Sequence, residues 1–75
     1  MTIYVAKILV EKPVGHSACK VKLASDLEEI KDYAEDAATA YANLYEGTIK
    51  IHSDKKYLIE GEYADVTITI EAHRL

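Results

Sequence analysis

The chain has 75 residues, 49% of them hydrophobic, with 13 acids against 9 bases and a formal charge of −4. That length supports one small domain, 1–75, with a single core, and that apolar content excludes a disordered chain. A lone Cys19 excludes an internal disulfide framework and favours a reducing, cytoplasmic setting, and neither a signal peptide nor a membrane-spanning run is recognisable.

Residues 2–11, TIYVAKILVE, are rich in β-branched residues and predict a strand. The segment KPVGHS follows, with Pro13 and Gly15 as loop signals. Residues 17–24, SACKVKLA, alternate, so that Cys19, Val21 and Leu23 are expected on the core face and Lys20 and Lys22 on the other. The two strands are expected to form a hairpin. Ser25 with Glu28 matches a capping box and starts a helix over about 26–45. Its apolar stripe is Leu27, Ile30, Ala34, Ala37, Tyr41 and Leu44, widened by Ala38 and Tyr45. Gly47 is placed where a left-handed C-cap belongs.

Beyond it, TIKIHS predicts a strand with Ile49 and Ile51 on one face and Lys50 and His52 on the other, and SDKK a turn. KYLIE is a short strand of ambiguous facing, and GEYAD a second turn. VTITIEA is a strand with Val66, Ile68, Ile70 and Ala72 inward and Thr67, Thr69 and Glu71 outward. The order β-β-α-β-β-β predicts an α+β two-layer sandwich, one helix packed on one face of a largely antiparallel sheet. The other face has nothing in the chain to cover it.

Residues suited to chemistry are sparse. His16, His52 and His73 with Cys19 fit no zinc spacing, and Cys19 is expected to be an inert core thiol. Gly15, Gly47 and Gly61 are isolated, so no phosphate-cradling loop is present. One helix on one sheet leaves little room for a catalytic cleft. The expectation is a non-enzymatic protein that uses no metal or cofactor.

Two surfaces stand out instead. Between residues 25 and 46 lie seven acids and one base, Lys31, which leaves the rest of the chain with a slight basic excess. Asp26, Glu28 and Glu29 complement the positive end of the helix dipole, an effect that fades after the first turn. Asp32, Glu35 and Asp36 are left over, and Glu28–Asp32 and Asp32–Asp36 are like-charge pairs four residues apart. The acidic face of Glu28, Asp32, Glu35 and Asp36 is either a solvated helix face or a mimic of nucleic-acid phosphates. The second surface is the uncovered sheet face, expected to carry Ile3, Val5, Lys7 and Leu9 with Lys20, Lys22 and Lys50. It is either a partner-binding face or a sheet surface partly covered by lysine stems. It offers no obvious aromatics for base stacking, which disfavours direct nucleic-acid binding.

The pattern β-β-α-β-β-β, with SDLEEIKDYAEDAATAYANLYEG running into TIKI, resembles small phage-encoded anti-CRISPR proteins of the type I systems. In at least one such family a five-stranded antiparallel sheet wraps around a single helix. The resemblance implies an inhibitor that works by binding a host nucleic-acid-handling complex, either blocking a nucleic-acid path or imitating it. It assigns no individual residue. The alternative expectation is an assembly module that homodimerises through its open sheet face.

Overall fold

Six elements follow one another: β1 (Thr2–Glu11), β2 (Ala18–Ala24), α1 (Leu27–Leu44), β3 (Thr48–His52), β4 (Lys56–Glu60) and β5 (Asp65–Arg74). They are seen in a computed structural model that describes residues 1–12, 17–53 and 55–74. Pro13, Gly15 and His16 of the first loop, and Asp54 of the SDKK turn, lie outside the described residues. The strands form one sheet in the order β2-β1-β5-β4-β3, and every neighbouring pair is antiparallel. The two ten-residue strands, β1 and β5, pair along their whole length, from Thr2 opposite Arg74 to Glu11 opposite Asp65. With α1 on one face, this is the two-layer α+β sandwich that the pattern of elements predicts.

The helix begins one residue later than the capping-box reading places it. Asp26, not Ser25, is the N-cap, and its carboxylate accepts a hydrogen bond from the Glu28 amide at 3.0 Å. An aspartate there satisfies one orphan amide and also meets the positive end of the helix dipole. Ile30, Ala34 and Ala38 are the helix residues fully buried against the sheet. They meet Ala6, Ile8, Val10, Tyr57, Ile59, Val66, Ile68 and Ile70. Ala37 is only half-buried and Leu44 is 64% exposed, so the stripe is rotated towards Ala34 and Ala38. The small side chains let the backbone approach the sheet closely, and Leu27, Tyr33, Tyr41 and Tyr45 pack around the rim.

The C-terminus of α1 closes differently from the sequence reading. Glu46 takes the left-handed conformation, with φ 51°, and the Gly47 amide donates back to the Ala42 carbonyl at 2.8 Å. This is a Schellman closure with glutamate at the left-handed position. Gly47 is required for a different reason. A Cβ there would come within 2.9 Å of the Glu60 carbonyl oxygen, the Gly61 Cα and the Ile59 Cγ2. The Glu62 amide donates to the Tyr45 carbonyl at 3.0 Å, so the β4–β5 turn satisfies one of the helix's terminal carbonyls.

Two strands face otherwise than alternation alone suggests. Directly opposed residues of an antiparallel pair share a face. Tyr4 opposes Ala24, Ala6 opposes Lys22 and Ile8 opposes Lys20, so Lys20 and Lys22 lie on the helix side of the sheet. Cys19, Val21 and Leu23 lie on the open side, with Val21 58% and Leu23 61% exposed. Cys19 is therefore an exposed thiol, not a core one. In β3 the pairing slips between Ile49 and Ile51, which moves Ile51 to the open side opposite Leu58 and His52 to the helix side opposite Tyr57. Lys50 sits in that irregularity, outside the alternation on which its outward placement rested.

Placing an unpaired charge among these contacts costs several kcal/mol. Total stability at 0.05–0.15 kcal/mol per residue is only ~4–11 kcal/mol. Ala34→Asp is expected to unfold the domain, seen as loss of the cooperative transition in circular dichroism, whereas Leu44→Asp leaves that transition intact. The left-handed conformation costs a residue with a side chain roughly 1–2 kcal/mol, and glycine's extra freedom when unfolded offsets roughly 0.5–1 kcal/mol. Glu46→Gly is expected to stabilise by up to about 1.5 kcal/mol, read as a higher urea midpoint with unchanged slope.

Candidate protein-binding face

The open side of the sheet is built in cross-strand rows. One row takes a residue from every strand: Cys19, Leu9, Thr67, Leu58 and Ile51. The next is Val21, Lys7, Thr69 and Lys56, and a third is Leu23, Val5 and Glu71. Ile3 opposes His73 beyond them. Val5 is almost covered by its neighbours, but Leu9 and Ile51 are each 39% exposed, and Val21 and Leu23 more so. An antiparallel sheet with one face in water ordinarily makes that face polar. Here the apolar side chains concentrate towards β2 and β1.

One polar cluster of this face offsets its own charge. Glu71 Oε2 lies 3.1 Å from Lys7 Nζ and 3.1 Å from His73 Nε2. Hydrogen bonding from Lys7, and then from His73, holds the Glu71 carboxyl below its ordinary value of 4.5. All three groups are substantially exposed, which limits the stabilisation they supply.

Of the residues that the sequence places on this face, Ile3, Val5, Lys7 and Leu9 are there. Lys20 and Lys22 are not. Lys22 Nζ stands 5.8 Å from the centroid of the Tyr33 ring, on the helix side. Its aliphatic stem thus flanks the helix while its ammonium meets an aromatic face. Val21, Leu23, Ile51 and Leu58 belong to the face and escape a reading based on alternation alone. Alternation states which residues share a face, and only the hairpin register states which face it is.

The acidic residues Glu28, Glu29, Asp32, Glu35 and Asp36 are exposed on the opposite side of the molecule. Glu35 Oε1 lies 3.7 Å from His52 Nε2, and the His52 ring meets Tyr57 edge-on at 4.9 Å. The two surfaces singled out in the sequence are thus separated by the full thickness of the helix and sheet.

Among the described residues, two shallow cavities bear on a small-molecule site. One, of about 280 Å³, is lined by Glu11, Lys12, Gly61, Glu62, Ala64 and Asp65. The other, of about 200 Å³, is lined by Tyr4, Leu27, Lys31, Lys55, Ile70 and Ala72. Both fall below the ~300–1,000 Å³ usual for small-molecule pockets. Among the described residues no three potential metal ligands cluster, and no helix is long and apolar enough to cross a membrane.

The Glu71 cluster has a checkable pH signature. A carboxyl depressed in the folded state stabilises the fold above its unfolded value, and the contribution is lost as pH falls through the folded value. The Lys7–Glu71 contribution is therefore complete above about pH 4.5 and disappears below it. Lys7→Met is expected to move the Glu71 carboxyl titration, followed by NMR, upward towards 4.5. An unchanged titration would show that Lys7 is not the cause.

Comparison with protein-family models, with curated proteins and with solved structures gives no match to this chain.

Proposed function

We propose that the protein acts by binding another protein through the open face of its sheet, with no chemistry of its own. One observation carries this reading: Leu9, Val21, Leu23 and Ile51 stand exposed on a single face that nothing among the described residues covers. Exposed apolar side chains gathered on one sheet face mark a site of protein contact. The resemblance to type I anti-CRISPR proteins extends the reading to a cytoplasmic inhibitor that occupies a host nucleic-acid-handling complex. The acidic helix face supplies the competing route to the same end, by imitation of phosphates.

A second reading, homodimerisation through the same face, is favoured by the position of the lysines. With Lys20 and Lys22 on the helix side, two facing copies no longer bring those charges together, and Lys7 is already matched by Glu71. The molecule measures 40 × 21 × 15 Å along its principal axes, so its broad face is of the order of the ~800 Å² per partner found in stable interfaces.

The test pairs Leu9→Glu and Ile51→Glu in one variant. Both positions are exposed, and the fold is expected to survive. The wild-type chain, expressed in bacteria that carry a type I CRISPR system with a matching spacer, is expected to restore phage plaquing and to capture the effector complex. The variant loses both activities. In the dimer reading, light scattering after size exclusion gives a dimer for the wild type and a monomer for the variant. A variant of Asp32, Glu35 and Asp36 to Gln is the control. Loss of capture in that variant, with capture retained by the sheet variant, would move the interface to the helix.

A further inference from the structure

We propose that the free edge of β2 is a strand-docking site for an extended segment of a partner protein in which acidic and apolar residues alternate. The proposal rests on the reading of the chain as a protein-binding domain and specifies the chemistry of what it binds.

The two edges of the sheet are not equivalent. β3 has five residues and an irregular pairing between Ile49 and Ile51, a feature that twists an edge and blunts further pairing. β2 pairs with β1 without a break from Ala18 to Ala24, and Ala18 to Leu23 are all exposed. Its outer row of backbone amides and carbonyls faces no strand among the described residues. Seven residues of regular strand offer a template ~23 Å long.

The side chains along that edge select the occupant. Lys20 and Lys22 lie on the helix side, Val21 and Leu23 on the open side. Among the described residues neither lysine is held in an ion pair. A second copy of β2 suits this edge poorly. In the antiparallel register that keeps the apolar residues on one face, lysine would oppose lysine, and like charges directly opposed are destabilising. A strand with alternating acidic and apolar residues meets both requirements. Its carboxylates lie beside Lys20 and Lys22, and its apolar side chains extend the surface of Val21 and Leu23. Main-chain hydrogen bonds supply affinity and the alternating side chains supply specificity, as in other cases of strand addition.

The test uses the full chain and two acetylated, amidated peptides of roughly eight residues, one more than β2, with the sequences (Glu-Val)₄ and (Lys-Val)₄. The acidic peptide is expected to bind at least about tenfold tighter by calorimetry, since two attractive pairs replace two repulsive ones. Amide shifts in NMR spectra should centre on β2. Lys20→Glu, which leaves the Lys22–Tyr33 contact in place, is expected to remove or reverse the preference. Equal affinities, binding of neither peptide, or shifts centred on β3 overturn the proposal. The Leu9→Glu, Ile51→Glu variant separates this result from the reading beneath it. Loss of partner capture in that variant without any peptide preference leaves the sheet-face reading standing and the edge proposal overturned. A peptide preference together with retained capture locates the interface at the edge and overturns the sheet face.

Discussion

The contact of Ile30, Ala34 and Ala38 with the sheet sets the terms for the rest of the molecule. A helix with its side chains is only about 10 Å wide, whereas five strands at ~4.8 Å spacing extend about 20 Å across. One helix therefore dries the inner side of the central strands and leaves the flanks half-covered. Fully buried positions accordingly fall in β1, β4 and β5, at Ala6, Ile8, Ile59, Val66 and Ile68. The edge strand β2 has none. The close approach needed to make this narrow contact tight explains the alanines, and it also explains Gly47, where any Cβ would strike the β4–β5 turn.

The same limit explains why β2 turns its lysines towards the helix. At the flank of the helix, beyond the dry centre, a long aliphatic stem can cover apolar surface while its ammonium stays wet. Lys22 does this against Tyr33. The consequence is felt on the other face. Because side chains alternate strictly, placing Lys20 and Lys22 inward sends Cys19, Val21 and Leu23 outward, where they join Leu9 and Val5. The exposed apolar surface of the protein is thus the counterpart of how its edge strand packs beside the helix.

The sequence made the type and order of all six elements legible, along with the inward set of β1 and β5, the two strands whose alternation runs long enough to be unambiguous. Ala6, Ile8 and Val10, and Val66, Ile68 and Ile70, are buried as their alternation requires. What failed was absolute facing in the short strands. For β2, the pattern fits either face equally well, and only the pairing of Val10 with Ala18 decides between them. For β3, a single slip between Ile49 and Ile51 reverses every later residue, and nothing in TIKIHS announces it. Each cap lies one residue from where the sequence pattern places it, since Ser25 and Asp26 are both good N-caps and a left-handed Glu46 is less common than a left-handed glycine. The facing of the candidate surface was therefore half legible. Its β1 residues lie on the open side as alternation places them, and in β2 and β3 their neighbours take the places expected of Lys20, Lys22 and Lys50.

The distribution of charge on the open face bears on where a partner would settle. Lys7, Glu71 and His73 form a cluster across β1 and β5, and covering it would strip water from three polar groups whose mutual contacts are already made. An occupant gains little there. Towards β2 the surface changes to Cys19, Val21 and Leu23, beside Leu9, and its burial carries no such cost. At ~25 cal/mol per Å² the gain from covering it scales with apolar area. The lowest-cost approach therefore runs along the β2 side of the sheet and leaves the ion cluster at its wet margin. On that side the apolar face and the free backbone edge are continuous, sharing Val21 and Leu23, so a partner that covers one is already in position to pair with the other.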